Sequence, residues 1–263
     1  MIIVFYVLVF LVGMITGSFL NVCIYRIPRE ESIVFPPSHC TSCGKVLKPI
    51  ELVPILSFIF LRGKCRYCGA KISIRYPLIE ILTAVIFALL FNTFGFSPDL
   101  FASAFLMSIL IAVFFIDIDH RIIPNGLVLT GLIGGIIIMF YNAFTNQAIF
   151  NESSWLAHLL GILPGSGILF FVALIGLIIY KSDEAMGMGD VKIFAPIGIF
   201  LGWKLCFLAL LISIVFAGVF SLLLILTGVK KRKDTIPFGP FIVAGTFVTM
   251  MWGTEILNWY IHS

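Results

Sequence analysis

The chain has 263 residues, 60% of them hydrophobic and only 11% charged, with a mean hydropathy of +1.14 and a formal net charge of +4. A water-soluble domain carries about 25% charged residues, so this composition excludes one and indicates an integral membrane protein. The charge is too small to require a nucleic-acid partner; the expected partner is the lipid bilayer, and the placement of lysine and arginine decides orientation, because these residues collect on the cytoplasmic side.

Residues 1–25, opening MIIVFYVLVFLVGMITGSFLN, predict a first transmembrane helix. The stretch lacks the basic n-region and small-residue cleavage site of a signal peptide, so a retained helix is expected. A polar insertion follows over 26–76. It contains 40-CTSC-43 and 65-CRYC-68, two C-x-x-C pairs separated by 21 residues. Each pair can put two thiolates on one turn, and together Cys40, Cys43, Cys65 and Cys68 complete the four-sulfur shell of a structural zinc site. Gly44 and Gly69, each just after a second cysteine, suit the tight turn. Two disulfides are the alternative, disfavoured if the loop faces a reducing cytoplasm. A redox C-x-x-C would need a thioredoxin-like setting that the sequence lacks. Between the pairs, 51-ELVPILSFIFL-61 is apolar, too short to span and interrupted by Pro54; it could dip into the interface or cover the cytoplasmic mouth of the bundle. Cys23 and Cys206 lie in apolar runs and read as core residues.

Residues 77–263 predict a polytopic core, with spans near 77–95, 100–118, 124–142, 157–180, 205–228 and 238–260. The short apolar piece 191–203 is ambiguous, but a break at Gly202-Trp203-Lys204 favours a turn there, giving about eight transmembrane helices in an all-α fold. With an outside N-terminus this topology puts on the inside nine basic residues of 26–77, Arg121, Lys181, Lys192 and the four of 230-KKRK-233, leaving only Lys204 outside. No internal repeat is evident, and Gly131, Gly134 and Gly135 suggest close helix approach.

Function is therefore expected on the inside face. There, 114-FFIDIDHRIIPN-125 closes the third apolar segment with Asp117 and Asp119, and 187-GMGD-190 places Asp190 before another apolar run. A carboxylate next to hydrocarbon costs about 2.5–3.5 kcal/mol at a helix centre, so such residues are usually functional. Positions two apart on a helix point about 200° from each other, so one of Asp117 and Asp119 is expected to share a cavity with Asp190 and the other to be solvated. Two carboxylates placed together share a proton, and one can then act as base toward water while the other holds a carbonyl oxygen, as in an aspartic protease. Gly187 and Gly189 would adopt backbone conformations that other residues resist and let a substrate strand approach closely. An ion or proton path through a transporter or channel with a zinc-stabilised cap uses the same residues. A non-catalytic assembly scaffold is a third possibility.

Five blocks in order, 17-GSFLNVCIYRIP-28, 61-LRGKCRYCGAKISIRYPLIE-80 with the paired cysteines, 116-IDIDHRIIPN-125, 184-EAMGMGDVKIFAPIG-198 and 236-IPFGPF-241, make the sequence resemble the type IV prepilin peptidase family over nearly its whole length. The resemblance implies a catalytic pair at Asp117, seven residues before Pro124, and Asp190 of the G-x-G-D motif, with Asp119 as companion. It also implies removal of the short basic leader of type IV prepilins or pseudopilins at the cytoplasmic face of the bacterial inner membrane. Many such proteins then N-methylate the new terminal residue with S-adenosylmethionine, and the cysteine insertion resembles those bifunctional members, although no adenosylmethionine-binding motif is recognisable and its site residues stay unassigned. Asn125 stands where many relatives have Asp, and Met188 occupies a variable position. Glu30, Glu31, Glu51, Asp183 and Glu184 are candidates to attract the basic leader, or are simply solvated acids.

Overall fold

The computed structural model describes residues 2–262 apart from 146, 151, 153, 181–186 and 232–234; Asp183, Glu184 and Lys181 therefore lie outside the described residues, as does part of the KKRK run. Among the described residues it is nearly all helical: α1 (Ile2–Arg26), α2 (Leu56–Phe60), α3 (Arg75–Phe94), α4 (Pro98–His120), α5 (Asn125–Thr145), α6 (Trp155–Leu160), α7 (Ile168–Tyr180), α8 (Met188–Leu226) and α9 (Gly239–His262). Seven helical stretches are long and apolar enough to cross a membrane. The chain is a multi-pass membrane protein, and it divides into two compact units, Met1–Leu100 and Phe101–Ser263.

In the N-terminal unit α1 packs along α3. The contact is backbone on backbone at two glycines one turn apart. A Cβ on Gly13 would lie 2.6 Å from Ala84 Cα, and one on Gly17 would lie 2.7 Å from Glu80 Cα. This is the small-xxx-small pairing by which helices associate where lipid removes the hydrophobic drive between them. The Tyr6 hydroxyl donates to Asn92 Oδ1 at 2.7 Å, tying the far ends of the same pair. In the insertion, α2 presents Leu56, Ile59 and Phe60 to the outside, 52%, 61% and 80% exposed, as an interfacial segment would.

The C-terminal unit is built around the first half of α8. Ile193, Phe194, Ile197, Phe200 and Leu201 are fully buried there, where glycines of α5, of the end of α6 and of the π-turn Leu163–Gly167 approach, while α9 packs farther along α8, its Gly245 against Ala209 and Ser213. Pro164 lacks the N–H that a regular helix would use, and the wider π-turn accommodates it between α6 and α7. Gly131 and Gly135 let α5 approach α8, where added Cβ atoms would come within 2.8 Å of Pro196 and Ile199, as the sequence suggested; Gly134 instead makes room for the ring of Phe105. The closest approach is between α6 and α8. A Cβ on Gly161 would sit 2.0 Å from the carbonyl oxygen of Gly198, and one on Gly198 would sit 2.1 Å from that of Gly161.

The expected break after residue 201 is present, though α8 continues past it. Gly202 has φ 74° and ψ 172° inside the 39-residue helix, a conformation that residues with a Cβ resist. Roughly 14 residues precede it, about 21 Å at 1.5 Å per residue, against a hydrocarbon core of about 30 Å. Seven spans rather than eight are thus counted by length and composition, and the difference lies wholly in whether α8 is divided at Gly202. On the N-terminal side of the break the buried His158 ring bonds through Nδ1 to the Ile199 carbonyl at 2.9 Å, joining α6 to α8 a second time.

Because the α6–α8 contact leaves no room for a side chain, Gly198→Val is expected to lower the unfolding midpoint in detergent. Overpacking costs typically 1–3 kcal/mol, and the obstruction here is rigid backbone. Gly218→Val, facing open space farther along the same helix, should change the midpoint by a small fraction of that amount, as followed by thermal unfolding.

Candidate active site and metal centre

The last turn of α4 separates its two aspartates as the 200° rule requires. Asp117 is 5% exposed, while Asp119 lies on the outer surface. The chain leaves α4 through Arg121, whose φ is 55° and whose N–H donates to the Asp117 carbonyl at 2.9 Å, closing the turn. The Arg121 guanidinium donates to Thr235 Oγ1 at 3.0 Å and its charge acts on Asp117. Pro124 then precedes α5, whose first residue, Asn125, accepts a hydrogen bond from Lys192 Nζ at 3.1 Å.

Asp190 occupies the first turn of α8, where its N–H donates to the Gly187 carbonyl at 3.1 Å. Asp117 is near enough for its charge to act on Asp190, so two helix ends whose aspartates are 73 residues apart in sequence, α4 and α8, bring their carboxylates into one neighbourhood. Gly187 and Gly189 serve it differently from the expectation. Gly187 has φ −65° and ψ 119°, open to any residue, and Gly189 is not among the glycines with positive φ. What each supplies is space. A Cβ on Gly187 would come 3.2 Å from Asp190 Oδ2, and one on Gly189 would come 3.0 Å from the Ile123 Cβ.

One participant was not singled out from the sequence. The Gly239 N–H, at the start of α9, donates to Asp117 Oδ2 at 3.0 Å. A Cβ on Gly239 would stand 2.6 Å from that same oxygen and 3.0 Å from Cγ. The backbone of α9 therefore lies directly against the Asp117 carboxylate, engaging Oδ2 and fixing the carboxylate plane. The signal was present in 236-IPFGPF-241, where glycine precedes a proline at a helix start, but nothing in that stretch names its partner.

In the N-terminal unit the four cysteines converge. Their sulfurs all lie within 4.8 Å of one another, with Cys40 and Cys68 Sγ 3.9 Å apart, and all are free thiols. A tetrahedron with Zn–S bonds of about 2.3 Å has edges of about 3.8 Å, so the set fits a four-sulfur metal site. The two knuckles are copies. Gly44 and Gly69 donate to the Cys40 and Cys65 carbonyls at 2.8 and 2.9 Å. Cys40 and Cys65 donate to Lys45 and Ala70 at 3.0 and 2.8 Å, and Leu47 and Ile72 donate to Ser38 and Gly63 at 2.9 and 2.8 Å. Gly44 and Gly69 adopt φ of 69° and 72°, the left-handed turn expected of them. Contrary to the reading that no internal repeat exists, 40-CTSCGKVL-47 and 65-CRYCGAKI-72 form one, too short and too substituted to stand out by eye. The backbone amides of Cys43 and Ser42 aim at the Cys40 sulfur and hold its thiol down to about 6, favouring the thiolate that a metal takes.

Among the acids proposed for solvated or leader-binding roles, Glu30 and Glu31 are exposed, but Glu51 is not. Its side chain is 3% exposed, and Oε2 accepts hydrogen bonds from the Lys48 N–H at 2.8 Å and the Tyr67 hydroxyl at 3.3 Å. Its burial is not legible in the run itself, because Glu51 opens an apolar stretch as a surface acid would.

Comparison with known proteins agrees with this division of the chain. The model of the bacterial peptidase A24 N-terminal domain matches residues 11–94, and that of the type IV leader peptidase family matches residues 104–222. A Bacillus subtilis protein named prepilin leader peptidase/N-methyltransferase is 37% identical over 97% of both chains. A Legionella pneumophila protein of the same name is 34% identical, over 97% of this chain and 94% of its own. One from Pseudomonas aeruginosa is 28% identical over 96% and 92%. No solved structure matches. With both family models matched in order and near-complete coverage by relatives above 30% identity, the chain belongs to the type IV leader peptidase family.

Proposed function

We propose that this protein is an aspartic endopeptidase of the bacterial inner membrane that removes the short basic leader of type IV prepilins and pseudopilins and then N-methylates the new terminal residue. The observation that carries the reading is the meeting of Asp117 and Asp190 in an otherwise apolar helical unit, each from a helix end, with their charges interacting. The names of the relatives favour hydrolysis over an ion path through the same residues. The peptidase chemistry belongs to the polytopic core over 77–263 and the zinc to the insertion over 26–76, following the first helix over 1–25.

In the mechanism, Asp117 and Asp190 share one proton. The ionised member takes a proton from water as the water oxygen attacks the scissile carbonyl, and the protonated member donates a hydrogen bond to the carbonyl oxygen. Collapse of the tetrahedral intermediate breaks the C–N bond as the leaving amine takes the proton that the aspartate received from water. Gly239 engages Asp117 Oδ2, leaving Oδ1 toward the reaction. Asp119, on the opposite side of the turn, supports the local charge without touching substrate. The clustering of lysine and arginine in 26–77, at Arg121 and in 230–233 supports a cytoplasmic site under the positive-inside rule. Zinc on Cys40, Cys43, Cys65 and Cys68 would be structural, since four thiolates leave no open position for water. S-adenosylmethionine would supply the electrophilic methyl group.

Four outcomes test this. Incubated with a pilin precursor and followed by product mass, Asp117→Asn and Asp190→Asn should each lose at least ~100-fold in leader cleavage, the lower end of general acid–base contributions. Asp119→Asn should retain cleavage, and full activity in the Asp190 variant would sink the dyad. Gly239→Ala pushes a methyl group against Asp117 Oδ2, so kcat should fall by about 10-fold or more while KM changes little; an effect on KM alone would mean that the glycine serves substrate binding. The purified protein should hold about one equivalent of zinc, lost in a Cys40→Ser, Cys65→Ser double variant; retention of that metal would exclude the four-sulfur site.

A further inference from the structure

The N-terminal unit contains a cavity of about 410 Å³ that extends beyond the sulfur cluster, two of whose cysteines stand in its wall. This volume falls within the range of about 300–1,000 Å³ typical of small-molecule sites. Its wall comes from the end of α1, both knuckles, α2 and the start of α3, and includes Tyr25, Arg26, Glu51, Phe58, Tyr76 and Glu80. Three of these are ionisable and buried, with Arg26 6%, Glu80 7% and Glu51 8% exposed. Two have structural duties. Arg26 donates to the Ser32 and Pro36 carbonyls at 2.9 and 2.7 Å, pinning the insertion's first loop. Glu80 accepts the N–H of Ile55 at 2.8 Å, holding that β-branched residue at φ 61°, where it would not otherwise rest.

Glu51 is different. While Oε2 is bonded twice, Oε1 is buried and has no hydrogen-bond partner. The Arg66 guanidinium, at 3.8 Å, is near enough for charge attraction but too far for a hydrogen bond. A buried acceptor left open is costly, the more so for a charged group, so a carboxylate oxygen in this state at a cavity wall is poised for a donor from outside the chain. The cavity also offers both signs of charge and aromatic surface: carboxylates at Glu51 and Glu80, a guanidinium at Arg66, and the rings of Phe58 and Tyr76. A ligand complementary to that set carries hydroxyl donors, a cationic centre, a carboxylate and a flat heterocycle. An adenosyl sulfonium amino acid has all four.

We propose that this cavity is the S-adenosylmethionine site of the protein, with Glu51 accepting from the ligand's hydroxyl or amino donors and Arg66 meeting its carboxylate. The assignment rests on the reading that this chain methylates its product, and it adds the residues that bind the donor. It also gives the duplicated cysteine knuckles a second consequence. Cys40 and Cys65 line the cavity along with Ser38, Leu47, Ala70 and Ile72, so the metal that closes the knuckles also sets the cavity's wall.

The test is equilibrium binding of radiolabelled S-adenosylmethionine to the purified full-length protein in detergent, with no pilin present. Saturable binding by the wild type is expected, weakened at least tenfold by Glu51→Gln and abolished by Ser57→Trp, which fills the cavity from α2. Zinc content and elution volume report folding. If Glu51→Gln loses its zinc, Ser57→Trp decides the matter, because Ser57 lies outside both knuckles. Unchanged affinity in Ser57→Trp would overturn the proposal, as would wild-type protein that methylates prepilin without binding the donor alone. Donor binding that survives in Ser57→Trp while prepilin binding is lost would assign the cavity to the peptide. A wild-type protein that cleaves prepilin yet leaves it unmethylated in the presence of the donor would defeat the methyltransferase reading itself, an outcome distinct from failure of the cavity.

Discussion

Asp117 sits 5% exposed in a helical unit whose neighbouring residues Val113 and Ile116 are at most 1% exposed. A buried carboxylate needs hydrogen-bond partners to remain in place. The Gly239 amide meets part of that need at 3.0 Å, and it can do so because glycine lets the backbone of α9 come within reach. The rest of the C-terminal unit follows from keeping that arrangement fixed. Arg121 closes the turn beneath Asp117 and reaches Thr235, four residues before Gly239. The two ends of the Asp117–Gly239 contact are thereby tied twice, once through the carboxylate and once through the guanidinium.

Fixing Asp190 is a separate task, and α8 performs it by burial. Its first half is surrounded by α5, α6 and the π-turn, and glycines let these neighbours approach: Gly131 and Gly135 from α5, Gly161 from the end of α6 and Gly165 from the π-turn. Without a hydrophobic drive between helices in lipid, such contacts rely on van der Waals proximity. A carboxylate at the head of a helix clamped on several sides loses little position to thermal motion. That is what a reaction needing a water molecule held between two side chains demands.

Much of this was legible in the sequence because it rests on local patterns. The apolar runs give the helices, the opposite faces of Asp117 and Asp119 follow from helical periodicity, and the C-x-x-C pairs with their glycines give the knuckles. Three features were not. The unusual backbone conformation expected of Gly187 and Gly189 is absent; a glycine chosen for space looks the same in sequence as one chosen for its φ. Gly239 was missed because its partner is 122 residues away, and a hydrogen bond from a backbone amide leaves no mark on residue type beyond the glycine itself. The burial of Glu51 is hidden in the sequence because, although Lys48 lies three residues away, the acid is also held by Tyr67, 16 residues on in the second knuckle.

The duplicated knuckle explains how a short insertion can bury a charge at all. Between the end of α1 and the start of α3 the insertion contains only one short α-helix, and α2 turns Leu56, Ile59 and Phe60 outward, so the insertion has little hydrophobic core of its own. Two matched turns, each with a left-handed glycine and the same three backbone hydrogen bonds, replace that core with a polar scaffold whose sulfurs converge on one point. A metal ion there would supply the cohesion that apolar packing supplies in larger domains. Hydrogen-bonded turns of this kind hold their shape without filling the space between them. A scaffold stapled at one point can therefore enclose a cavity lined by charged groups, where a hydrophobic core of the same size would have to be solid.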